Sequence, residues 1–93
     1  MKAIIGNKLY DTETAEELYE YRKAFQSAFA INGCHWSVWH DMVLYQTKKG
    51  TYFEYDKENG KIQIISEEKA KETIKQVNPD AYMAIWDVKV EEG

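Results

Sequence analysis

Apolar and polar positions along this chain change period several times, and each change marks a candidate element. Ile4-Ile5 and Leu9-Tyr10 flank Gly6-Asn7, a pair that accepts the positive φ of a two-residue turn, so residues 4–10 read as a β-hairpin. From Asp11 the period lengthens. Leu18, Phe25 and Phe29, filled in by Tyr21, Ala24 and Ala28, recur at helical spacing. Thr14 and Glu17 have capping-box spacing, and Asp11, Glu13, Glu16 and Glu17 suit the positive end of a helix dipole. The pattern therefore predicts one long helix that opens at residues 11–14 and runs to Ala30. Asn32-Gly33 would stop it, glycine taking the left-handed cap.

From Trp36 to Thr47 the period is two. Val38, His40, Met42 and Leu44 share one face, and Trp39, Asp41, Val43 and Tyr45 the other. Lys48-Lys49-Gly50 reads as a turn with glycine at the left-handed position of a bulged hairpin. Thr51 to Asp56 returns as a strand, Lys57-Glu58-Asn59-Gly60 turns again, and Lys61 to Ile65 completes a three-stranded antiparallel meander. Ser66 opens a helix with Glu67 and Glu68 in its first turn and Ala70, Ile74 and Val77 as its apolar stripe. Asn78-Pro79 ends it, and Pro79 starts a last short helix in which Tyr82, Ile85 and Trp86 face inward. Residues 89–93 read as a charged, fraying tail. The expected fold is α+β: an N-terminal β-hairpin, a long helix, a three-stranded meander and two C-terminal helices, in one domain spanning residues 1–93.

Composition agrees with a folded globule, since 44% of residues are apolar and 14% aromatic. Disordered chains lack the aromatics needed to offset the entropy of ordering. The net charge of −4 disfavours direct nucleic-acid binding and attraction to anionic membranes. Lys48-Lys49 is the densest basic pair, and no apolar run approaches the length of a membrane span. Residues 1–7 carry a lysine without the long apolar region of a signal peptide, and Cys34 has no second cysteine to pair with. The expected location is cytoplasmic.

Candidate chemistry is sparse. Cys34, His35 and His40 are the soft metal ligands, too few for a structural zinc site, so no metal or cofactor is expected. Cys34 beside His35 lacks the third, orienting group of a thiol nucleophile. Glu16-Glu17, Glu67-Glu68 and Glu54 with Asp56 pair carboxylates, but at expected helix starts and in a hairpin, not in a cleft. The glycines are scattered beyond any phosphate-binding pattern, and the chain is read as a non-enzyme. What remains is charge and aromaticity. Asp11, Glu13, Glu16, Glu17 and Glu20 place five acids in ten residues with no base among them; Glu54, Asp56 and Glu58 form a second acidic patch. A solvated helix start is the ordinary explanation of the first block, and an anionic face for a basic protein surface is the functional one. Trp36, Trp39, Tyr45, Tyr52 and Tyr55 are core candidates of the residue types that dominate interface hot spots.

Tyr10-Asp11-Thr12-Glu13-Thr14-Ala15 begins a series of segments with a family likeness. Leu44-Tyr45-Gln46-Thr47-Lys48-Lys49-Gly50-Thr51-Tyr52-Phe53, Ser66-Glu67-Glu68-Lys69-Ala70-Lys71 and Asp80-Ala81-Tyr82-Met83-Ala84-Ile85-Trp86 continue it in order. Over most of its length the chain resembles small proteins of Gram-positive bacteria, their phages and mobile elements. Those relatives carry a glycine-rich stretch where this chain has Tyr55-Asp56-Lys57-Glu58-Asn59-Gly60. The resemblance implies an accessory role in host takeover or counter-defence, with anti-CRISPR inhibition of a Cas effector as its specific form. The expected partner is thus a protein, such as a nucleic-acid-binding effector whose basic groove the acids would occlude. The alternative is a homodimer assembled through the aromatics around Trp36 and Trp39.

Overall fold

The computed structural model describes residues 1–26 and 37–89. Strands β1 (Lys2–Ile5) and β2 (Lys8–Asp11) form a separate two-stranded sheet. Strands β3 (Glu16–Gln26), β4 (Ser37–Gln46), β5 (Tyr52–Asp56) and β6 (Lys61–Ile65) pair antiparallel in chain order as a second sheet. Helices α1 (Glu67–Val77) and α2 (Pro79–Trp86) follow. The fold is α+β, with two corrections to the sequence expectation. No long helix follows the hairpin in the described residues, and the meander has four strands where three were expected.

The segment expected to be helical is β3. Its apolar positions fit a helical stripe, but the same residues also alternate. Tyr19, Tyr21, Lys23 and Phe25 turn inward while Glu20, Arg22 and Ala24 are exposed. Aromatic side chains fit a pleated, half-buried surface, and β3 finds one by pairing with β4 from Glu16↔Gln46 to Gln26↔Ser37. The register shifts between Glu17 and Tyr19, so the consecutive Leu18 and Tyr19 both pack against the core. Asp11 to Ala15 is a turn, not a helix start: Asp11 Oδ1 accepts from the Glu13 N–H at 2.9 Å, and the Asp11 carbonyl accepts from the Ala15 N–H at 3.0 Å. The expected helix end at Ala28, Phe29, Ala30 and Asn32-Gly33 lies outside the described residues, as do Cys34, His35 and Trp36.

The remaining elements follow the pattern closely. Gly6 adopts φ +64° in the β1–β2 turn, and Gly50 adopts φ +93° where the β4–β5 connection needs a left-handed residue. Ser66 caps α1, its hydroxyl accepting from the Lys69 N–H at 3.1 Å. Asn78 ends α1 and caps α2 through the N–H groups of Asp80 and Ala81, and its amide donates to the Tyr19 hydroxyl at 3.1 Å. One residue thus stops a helix, starts the next and fixes both to the sheet.

Both helices pack on one sheet face. Ala70, Ile74 and Tyr82 meet Tyr21, Met42, Leu44, Tyr52 and Ile65, and Trp86 Nε1 donates to the Tyr52 hydroxyl at 2.9 Å. On the opposite face Phe53 is fully buried: Tyr45 stacks on its ring at 5.1 Å and Tyr10 of β2 meets it edge-on at 5.9 Å. That ring holds the N-terminal hairpin against the larger sheet.

Candidate functional site

The eight acidic positions divide by strand register. Directly opposed residues share a face, and Leu44↔Glu54 and Met42↔Asp56 therefore carry both carboxylates to the helix-covered face. Glu54 is 1% exposed and Asp56 is buried, as is Asp11 at the end of β2. These three do not lie on an exposed anionic surface. Glu13, Glu16, Glu17, Glu20 and Glu58 are exposed. Of these, Glu20 is taken up by Lys57, whose ammonium lies 2.7 Å from Glu20 Oε1 and is held above the ordinary lysine pKa by that hydrogen bond. Glu58 sits in the β5–β6 turn, beside the middle of β4 and away from Glu16 and Glu17, which pair with Gln46 and Tyr45. The acids do not merge into one surface. Glu13, Glu16 and Glu17 gather at the start of β3, and none has a basic partner among the described residues.

Glu17 and Glu20 register on the face turned away from the helices. Burial, then Glu17, raises the pKa of the Tyr45 phenol, with Lys57 opposing and Tyr55 and Glu20 adding to the rise. Further along the same face Arg22 lies 3.6 Å from Asp41 and 5.7 Å from the centre of the Trp39 ring. Trp39 is 54% exposed. The outward face therefore runs from acids at one end to an exposed tryptophan under a guanidinium at the other.

The inward carboxylates belong to a network that the sequence reading missed. Lys23 Nζ lies 3.5 Å from Glu54 Oε2, and His40 Nδ1 lies 2.8 Å from Asp56 Oδ2. Asp56 also organises the β5–β6 turn: its Oδ1 accepts from the Glu58 and Asn59 N–H groups at 2.9 and 3.2 Å, and its Oδ2 from the Asn59 amide at 3.1 Å. Burial pushes the Asp56 pKa up, but the hydrogen bonds from His40, Asn59 and Glu58, with the His40 charge, outweigh it and hold the carboxyl below its ordinary range. Phe25 leans over the His40 ring at 4.5 Å.

Tyr21 completes the group. Burial raises its pKa strongly, and the neighbouring Glu54 carboxylate adds to the rise. Neither the Tyr21 hydroxyl nor Glu54 Oε1 has a hydrogen-bond partner of good geometry. His40 is committed to Asp56. Among the described residues no three His, Cys, Asp or Glu side chains converge as a metal site requires, and no helix is long and apolar enough to cross a membrane. One signal was available. Period-two alternation places Glu54 and Asp56 on the face of Tyr52, so a core assignment for Tyr52 carries both carboxylates inward.

Comparison of the chain with protein-family models, with curated proteins and with solved structures found no match.

Proposed function

We propose that this chain works by binding a basic protein surface, with no chemistry of its own. The observation that carries this reading is the exposed group of Glu13, Glu16 and Glu17 at the start of β3, without basic partners among the described residues. Unpaired surface carboxylates contribute little to folding, and they steer association with a positive partner. The finer form is an inhibitor of phage or mobile-element type, occluding the nucleic-acid groove of an effector such as a Cas protein. It is supported by the family resemblance of the sequence segments.

Affinity capture from a bacterial host lysate at ~50 mM and ~200 mM salt tests it, because ions screen exposed charge pairs. The expected result is a nucleic-acid-binding protein that is lost at the higher salt. The variant Glu13→Lys/Glu16→Lys/Glu17→Lys should lose that partner while keeping the fold; retained affinity would sink the acidic-face mechanism. Exposed Trp39 favours a second reading, a homodimer without inhibitory role. Sedimentation separates the two, since a monomer at every concentration excludes the dimer.

A further inference from the structure

The N-terminal hairpin and the β4–β5 connection enclose a cleft of about 630 Å³ on the outside of the fold. Its walls come from residues 7–11, 14–15, 47–49 and 51, brought together where Tyr10 docks on Phe53. Lys8, Lys48 and Lys49 all line it, against one carboxylate, Asp11. That carboxylate is buried, and its Oδ1 is occupied by the Glu13 N–H. None of the three lysines is paired with a carboxylate among the described residues. Thr14 and Thr47 add hydroxyl groups to the lining. In a chain of net charge −4, a concavity lined by three unpaired lysines is a local reversal of sign.

We infer that this cleft is a binding site for a phosphate-bearing ligand, distinct in its residues from the acidic group, whose Glu13 and Glu16 flank Thr14-Ala15 at its rim. Lysines on two walls of one concavity give it a positive potential, and a polyanion complements that potential while accepting hydrogen bonds from their ammonium groups. The volume falls in the range of small-molecule sites, roughly 300–1,000 Å³. Lysine serves such ligands as a point charge, and threonine hydroxyls supply neutral donors. The phosphate can come from a free phosphorylated compound or from the backbone of a single strand, and the test separates the two.

The probes are sodium pyrophosphate and a ~10-nucleotide oligothymidylate, followed by amide chemical shifts in two-dimensional NMR. The expected result is a saturable shift of amides within residues 7–11 and 47–51, while the core amides of Val43 and Ile74 stay still. Lys8→Gln/Lys48→Gln/Lys49→Gln should weaken binding by about tenfold or more. All three side chains are exposed, so this variant should keep the spectrum of a folded chain. Saturation by pyrophosphate with no gain from the oligomer identifies a free phosphorylated ligand. Much tighter oligomer binding that falls steeply with salt identifies a strand. Glu13→Lys/Glu16→Lys/Glu17→Lys should leave binding intact or tighten it, so loss of the protein partner and loss of this site are distinguishable. Absence of a saturable shift, or a shift unchanged in the triple glutamine variant, would overturn the site.

Discussion

Glu54 and Asp56 lie two residues apart on one inward face, whereas Glu16 and Glu17 stand in water at the start of the outermost strand. The four carboxyl groups are chemically alike, and only their surroundings differ. Asp56 ties four donors together, joining β4 to the β5–β6 turn. Glu16 and Glu17 tie nothing among the described residues. Carboxylates that organise structure and carboxylates free for a partner thus differ by position: the first are buried within β5, the second exposed at the start of β3. Reading acids as one patch from their density in the sequence mixes the two kinds.

Substitutions can break that contrast, and the largest effect is expected at Asp56. Asp56→Ala strands His40 and three donors of the turn, and should lower unfolding free energy by about 3 kcal/mol in urea titration. A loss below about 1 kcal/mol would show the turn to be held by other means. The variant should also flatten the acid limb of stability. Because the folded pKa of Asp56 is depressed, its contribution is complete above the ordinary carboxylate value and is lost as pH falls through the folded one.

Glu54→Ala comes next, at about 2 kcal/mol, since it opens buried space beside its cross-strand partner Leu44 but leaves the half-exposed Lys23 free to reach water. Tyr21→Phe removes an unpartnered hydroxyl and should change stability at neutral pH by less than about 1 kcal/mol, in the stabilising direction. Its signature is at high pH. The folded phenol resists ionisation, so stability is complete below the ordinary tyrosine value and falls as pH rises beyond it. Chemical denaturation on both sides of that value should show the fall in the parent and a smaller one in Tyr21→Phe. Smallest of all, Glu16→Gln and Glu17→Gln should each move stability by less than about 0.5 kcal/mol. A large loss at either would contradict their assignment as carboxylates free for a partner.

Local signals sufficed where one element depends on its own residues. Ser66 and Asn78-Pro79 bound their helices, and Gly50 sits where a left-handed residue is needed. They failed at residues 14–26, because Leu18, Tyr21 and Phe25 satisfy a helical period while Tyr19, Tyr21, Lys23 and Phe25 satisfy a strand. The decision between them is made by β4, a partner more than ten residues away along the chain, and no local pattern contains it. The same lack hid the Lys23–Glu54 and His40–Asp56 pairs, which require the register of three strands. The acids at the start of β3 were legible as a cluster, but the burial of Glu54 and Asp56 was not, since it depends on which face the helices cover.

β3 has a further consequence for how this protein behaves in concentrated solution. Among the described residues, this eleven-residue strand has β4 on one side and no strand on the other, and such a row of backbone groups is a template for pairing with a second chain. Glu16, Glu17, Glu20, Arg22 and Lys23 punctuate it with charge. Placed this way, the side chains act as gatekeepers against fibril-like growth whatever else they bind. Neutralising them all would remove that protection along with any partner site. Reversing their sign keeps the edge charged, and so keeps aggregation from being mistaken for lost affinity.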